Sequence, residues 1–230
     1  MIAVVHQPEF VPWLGFFERL TVCDVCIILD HAQFQKRGFI NRNRIKTDRG
    51  PVWLTIPIVH EDSMKPINEV RIQAGTGWQK KQWRRLEAYY RHAPHFKEYA
   101  SPLKDIMDRE WGFIAPLDVA LIRYCMVVLK IDIPIKLSSE LRIEGKSSEM
   151  LVHICQSVGA DTYLSGIGGK RYMDFDTFER NAIKVMFQEF VHPEYPQQFS
   201  QIPFVPSLSI LDLLFNCGEK SVDIIRGNRV

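Results

Sequence analysis

The chain has 230 residues, 46% of them hydrophobic and 24% charged, with a formal net charge of +2. That length and apolar content suffice for a sizeable core without disulfide staples, and they exclude a disordered chain. The near-neutral balance gives no global field toward nucleic acid, which weighs against a nucleic-acid partner, and no apolar run reaches the roughly 18 residues that a membrane span requires.

Ile2 to Val5 is a short apolar run that predicts a buried first strand. It stops at His6-Gln7-Pro8, where Pro8 cannot donate to a ladder and biases Gln7 toward an extended conformation. The chain enters this motif with no basic leader before it, which predicts a cytoplasmic protein. A short helix is expected over Trp13 to Leu20, and a second strand over Val22 to Leu29, ending at Asp30. Strand, loop, helix and strand in this span make a βαβ-sized unit. Its parallel strands would bring His6 and Asp30 to one carboxyl edge, where open α/β sheets place their ligands. Cys23 and Cys26 would point to opposite faces of that strand, which is poor metal geometry. With Cys125, Cys155 and Cys217 in apolar runs, all five cysteines read as small buried hydrophobes in a reducing compartment.

The stretch from Gln33 to Lys46 is polar and basic, with Phe34 and Phe39 interleaved. Val52 to Ile58 predicts a strand, and Ile67 to Ile72 a short one at an edge. From Trp78 to about Leu129 the period becomes helical, punctuated by Pro94, Pro102 and Pro116. Ser147 to Val158 is an amphipathic helix with Gly159 as its C-cap. A strand over Asp161 to Leu164 runs into Ser165-Gly166-Ile167-Gly168-Gly169, and another strand covers Ile183 to Phe190. A last helix runs from about Ser209 to Asn216, capped by Ser207 or Ser209 and stopped by Gly218. The expected fold is α/β: a mainly parallel open sheet with flanking helices and a helical insertion over about 78–130, in one domain spanning 1–230.

Four polar segments are candidates for chemistry. A histidine at a strand's carboxyl end, His6, suits a general base or a phosphate contact; a backbone-bonded capping histidine is the alternative. Gln33, Lys36, Arg37, Asn41, Arg42, Asn43 and Arg44 suit an anionic ligand, since guanidinium forks match phosphate oxygens. A solvated surface loop or a nucleic-acid-binding segment would share that composition. The Ser165-to-Gly169 turn, followed by Lys170, Arg171 and Tyr172, could cradle a phosphate with backbone N–H groups or be a plain tight turn. His192 and Tyr195 sit in a Pro-rich stretch after another strand. In a parallel sheet these four segments would converge on one rim. A Gly-x-Ser-x-Gly elbow, a His-Glu-x-x-His helix and a zinc-type Cys/His cluster are absent from the sequence, which argues against a serine hydrolase, a zinc peptidase and a zinc module.

The run from His6 through Phe17 (His-Gln-Pro-Glu-Phe-Val-Pro-Trp-Leu-Gly-Phe-Phe) resembles the N-terminal signature of the WbqC-like proteins of bacteria. The likeness continues through Asp24, Asp30, Asn41-Arg42, Trp53 to Pro57, Tyr163 to Gly166 with Tyr172, His192-Pro193 with Tyr195, and Ser209 to Gly218. Such proteins are found among surface-polysaccharide genes, including O-antigen clusters that make modified amino sugars. The resemblance implies transfer of an acyl or aminoacyl group, such as glycyl, to the amine of a nucleotide-linked amino sugar. His6 would then be the base and Gln7 would orient it or the substrate. Asp30, Gln33, Arg37, Asn41, Arg42 and Arg44 would contact the substrate. Ser165, Gly166, Gly168 and Gly169 would bind phosphate, with Tyr172, His192 and Tyr195 in support, and no metal is called for. The opening also looks like that of nucleotidyltransferases of the His-x-Gly-His class, which would imply ATP-dependent activation. Here Gly15 is followed by Phe16, so the second histidine of that motif is missing.

Overall fold

The structure is a computed structural model that describes residues 1–171 and 173–227. Five parallel strands form the central sheet: β1 (Ile2–His6), β2 (Val25–Ile28), β5 (Ile135–Leu137), β6 (Thr162–Ser165) and β7 (Lys184–Phe187). Their order is β5-β2-β1-β6-β7. The chain therefore runs outward from β1 on one side and later returns to its other side, and the order reverses between β1 and β6. β1 pairs with β2 from Ala3↔Val25 to His6↔Ile28, and with β6 through Ile2↔Thr162 and Ala3↔Tyr163.

Period-two alternation divides the interior into two layers. Val4, Cys26, Ile28 and Leu164 face one buried cluster, while Ala3, Val5, Val25, Ile27 and Tyr163 face the other. The first cluster includes α1 (Leu14–Leu20), α2 (Trp78–Tyr90), α3 (Phe96–Asp108), α4 (Ile114–Val128) and α7 (Ile210–Cys217). The second lies under α5 (Ser147–Val158) and α6 (Phe175–Arg180). A short α8 (Ser221–Arg226) follows α7 and packs against α1. The parallel α/β architecture and the helical insertion agree with the sequence. All five cysteines are free and buried.

Three expectations need correction. The basic stretch is not a single loop, because Arg42–Thr47 is a strand, β3, that pairs antiparallel with β4 (Gly50–Thr55) in a separate hairpin. Ile67 to Ile72 is no strand: Ile67–Glu69 is a 3₁₀ turn, and the segment is tied in by isolated bridges such as Ile58↔Ile72 and Arg71↔Phe113 and by single backbone bonds such as Ile67 N–H to Ala32 O. Pro102 does not mark a boundary but lies inside α3. It sits on the exposed side, so the carbonyl it leaves without an intrahelical donor can be hydrated.

Helix ends follow the sequence where a cap is chemically specified. The Ser209 side chain accepts from Leu211 N–H at the start of α7, and Gly159 closes α5 at φ +74°. An L-side chain is strained at that φ even with open space around it. Gly159→Ala is therefore expected to cost about 1 kcal/mol, read as a lower urea midpoint with unchanged slope. An unchanged midpoint would contradict the left-handed cap.

Candidate functional site at the switch point of the sheet

Where the strand order reverses, a crevice of about 910 Å³ opens beyond the ends of β1 and β6, a size usual for small-molecule sites. Its floor is His6 and Arg19, one wall is the Gly166–Lys170 turn, and the other holds Trp13, Phe190 and Val191.

The loop that carries His6 out of the sheet is held under strain. Val11 has φ +40°, an outlier for a β-branched residue. The buried Asn43 of β3 keeps it there, donating from Nδ2 to the carbonyls of Phe10 (3.1 Å) and Val11 (2.9 Å). Ser209 Oγ donates to the Val11 carbonyl as well (2.9 Å), and Phe10 N–H donates to Phe39 O (3.0 Å). Next along the chain the Trp13 indole lies over the backbone of Gly15, where a Cβ would stand 2.3 Å from the ring. Glycine is needed there to let the indole form the crevice wall. Gly169 serves the same end opposite, since a Cβ on it would stand 2.3 Å from Ser165 Oγ.

His6 Nδ1 lies 2.8 Å from the Gln7 carbonyl, so this nitrogen carries the hydrogen and donates it. Nε2 is left as the proton acceptor, 3.8 Å from Glu9 Oε1, longer than a hydrogen bond. Burial and the neighbouring Arg19 charge push the imidazole down to about 3, so it is neutral at physiological pH. Burial pushes the Glu9 carboxyl up to about 7, an effect that Arg19 partly offsets. Arg19 itself is almost fully buried, with its Nε lacking a hydrogen-bond partner. Asp118 on α4 is buried behind them, both carboxyl oxygens without a partner, and burial with the Glu9 charge raises it well above the usual carboxylate range. Beside Arg19, Glu18 is also buried and accepts from Gln188 Nε2 (2.6 Å), which donates to Gly15 O too (2.8 Å).

The sequence-derived residues fall into several places. His6, Ser165, Gly166, Gly168 and Gly169 line the crevice. Gln7 contributes through its main-chain carbonyl. Ser165 is buried and its hydroxyl donates to Gly166 O (3.0 Å). His192 stands behind Trp13, stacked on it at 6.1 Å, with Nδ1 bonded to Pro193 O and Nε2 accepting from Ser207 N–H. Both its nitrogens are engaged, so it stiffens the aromatic wall rather than carrying protons. Tyr195 stacks on His192 at 6.5 Å, and its hydroxyl is buried in the core without a hydrogen-bond partner among the described residues. Asp30 is buried and accepts from Ser138 Oγ (2.8 Å), Ser139 N–H (2.9 Å) and Ser139 Oγ (2.6 Å), which locks β2 to the end of β5. Tyr172 lies outside the described residues. The expected convergence of four segments on one rim does not occur. Arg37, Asn41 and Arg42 line a separate pocket at the hairpin, Arg44 sits on the same strand, and Gln33 is exposed, with its amide 3.9 Å from Met64 Sδ.

Glu9, Glu18, Arg19 and Gln188 were not singled out by sequence. A signal existed: Glu18-Arg19 interrupts an otherwise apolar helix, and all seven residues of α1 are buried. Charged residues that cannot reach solvent need partners or a function. Among the described residues no group of three His, Cys, Asp or Glu could hold a metal ion, and no helix is long and apolar enough to cross a membrane.

The fold is thus an open parallel α/β sheet of the doubly wound kind, with a polar crevice at the point where its strand order reverses. The chain belongs to the WbqC-like protein family, whose profile matches residues 7–224. It is 34% identical over 228 residues to the uncharacterized protein Rv1507c of Mycobacterium tuberculosis, covering 98% of this chain and 97% of that one. No solved structure matches it at a significant level.

The pin on the loop gives a direct test. Asn43→Ala leaves the Phe10 and Val11 carbonyls short of a donor and is expected to cost about 2–3 kcal/mol, measured by urea unfolding. A loss under about 0.5 kcal/mol would mean that Asn43 does not hold the loop.

Proposed function

We propose that the crevice is the active site of a transferase of bacterial surface-polysaccharide biosynthesis. It moves an acyl or aminoacyl group onto the amine of a nucleotide-linked amino sugar. The observation that carries this reading is the floor of the crevice. A neutral imidazole stands there beside a carboxyl group that titrates near neutrality, with a buried guanidinium next to both. A protein base near neutral pH and a fixed positive charge are what amine acylation on an anionic substrate requires.

In the reaction the amine nitrogen forms a bond to the acyl carbon, the donor's leaving group departs with its electron pair, and the amine loses one proton. His6 Nε2 accepts that proton, and the Glu9 carboxylate beside it stabilises the imidazolium. The weak basicity of His6 alone makes Glu9 part of the base. Arg19 binds the diphosphate of the acceptor, and Trp13 offers a flat apolar surface to a sugar or base ring. Membership of the WbqC-like family supports the polysaccharide setting.

The test is a panel of nucleotide-linked amino sugars incubated with acyl and aminoacyl donors, read by mass spectrometry. One acyl group is expected on the amine of a single acceptor class; acylation of none overturns the reading. With a working pair, His6→Ala should lower the rate by about 10²–10⁴-fold. Because the Glu9 carboxyl is raised to about 7, its reactive carboxylate grows in as pH rises. The rate should therefore climb through about pH 7 and level off above it, and Glu9→Gln should remove that limb. A wild-type profile that falls over this range would reverse the assigned proton direction.

A further inference from the structure

The β3–β4 hairpin presents a second polar region, apart from the crevice. The register of β3 and β4 sets Arg42 opposite Thr55 and Arg44 opposite Trp53, so these four side chains share one face. The other face, with Asn43, Ile45 and Leu54, is buried. On the open face the Arg42 guanidinium lies 4.2 Å from the centre of the Trp53 ring, and the Arg44 guanidinium lies 5.9 Å from it. Trp53 remains 37% exposed and Phe39, 5.8 Å away, 40% exposed. Beside them a pocket of about 280 Å³ is lined by Lys36, Arg37, Asn41, Arg42, Thr55, His60 and Ser63, with apolar Phe34 and Ile58.

The cations here are held but not neutralised. Arg42 donates to the carbonyls of Gly38 (3.2 Å) and Arg37, and Arg44 donates to Ser207 O (3.3 Å). Arg85 Nη1 donates to Trp53 O (2.9 Å). None of these arginines, nor Lys36 or Arg37, is in an ion pair among the described residues. Asp62, the nearest carboxylate in sequence to Ser63, is already taken by Lys65 and Arg71. The loop tip is also fixed in a demanding backbone conformation, with Arg37 at φ +67° and its carbonyl held by Arg42. Guanidinium groups bonded only to carbonyls keep their full charge for a ligand, and fixing them beforehand lowers the entropy lost on binding.

We propose that this pocket takes one nucleoside phosphate unit, with its phosphate among Lys36, Arg37 and Arg42 and its base stacked at Trp53 and Phe39. Exposed aromatic rings set between fixed cations are how proteins hold bases and phosphates without reading sequence. The unit comes either as a free nucleotide or as the end of a single strand. The site is separate from the crevice, and its occupancy does not depend on the transferase reading.

The full chain is titrated with AMP, UMP, inorganic phosphate and a short single-stranded RNA by calorimetry. Saturable binding of the nucleotides is expected, tighter than that of phosphate. Trp53→Ala and Arg42→Gln should each weaken it by about tenfold or more. Lys36→Ala, at an exposed position that cannot disturb folding, should weaken it too, and added salt should do the same. His6→Gln, in the crevice, should leave it unchanged. RNA binding much more tightly than AMP assigns the unit to a strand end, and equal binding assigns it to a free nucleotide. The proposal is overturned if neither nucleotide nor RNA binds saturably, if phosphate binds as tightly as AMP, or if folded Trp53→Ala and Lys36→Ala bind as the wild type does. Loss of binding in His6→Gln would place the ligand in the crevice and overturn it equally.

Discussion

Asn43 commits its side-chain amide to the loop between β1 and α1, and the shape of the crevice follows from that contact. In a parallel sheet the chain must leave each strand at the carboxyl edge. Leaving β1 toward α1 here demands a left-handed turn at Val11, which a β-branched residue resists. The hairpin supplies donors for the carbonyls that this turn exposes, and Ser209 at the head of α7 supplies another. Three parts of the chain that are far apart in sequence therefore meet on one loop. Without them His6 and Glu9 would have no fixed relation to Arg19, and Trp13 would have no reason to lie over Gly15.

The same loop brings unlike charges into a place where water is scarce. Burying Arg19 costs several kcal/mol of solvation, which only nearby negative charge or a ligand can offset. Glu9 provides part of that charge, yet its own burial keeps it half protonated near neutrality. Asp118 lies deeper still, and with both oxygens unpartnered it is stable there as the neutral acid. The protein thus holds a buried guanidinium, its Nε without a hydrogen-bond partner, next to an open crevice. A structural ion pair would have been closed with direct hydrogen bonds, as Asp62 is with Arg71 (2.7 Å) and Lys65 (2.6 Å). The contrast separates the surroundings of Arg19 from an ion pair that ties the fold together.

Much of the sheet was legible in the sequence because its causes are local. Apolar runs at β1, β2 and β6, the glycine after α5 and the serine before α7 each act within a few residues. His6 was legible as well, because a histidine at the end of a buried strand is unusual chemistry wherever it falls. Arg19 was hidden for a physical reason. An arginine at the end of a short helix ordinarily reaches water, but α1 is buried along its whole length by parts of the chain distant in sequence. Asp30 misled in the opposite sense. It stands at the right edge of the sheet, but Ser138 and Ser139 from a distant segment saturate it.

The basic stretch shows where sequence order fails as a guide to space. Placed after a strand of the parallel sheet, it was expected on the rim with His6. Instead residues 42–55 pair with themselves, because Arg42-Asn-Arg-Ile-Lys-Thr and Gly50-Pro-Val-Trp-Leu-Thr make an antiparallel ladder that needs no partner from the main sheet. Alternation then divides the work of one short strand between two faces. Asn43 turns inward to fix the crevice loop, while Arg42 and Arg44 turn outward to Trp53. A single strand, with Asn43 between Arg42 and Arg44, thereby contributes to both polar regions at once. The Phe10–Phe39 backbone bond joins the loop of one to the edge of the other. The two regions are separate as pockets but continuous as backbone, so a change in the β3 register would move every one of these contacts together.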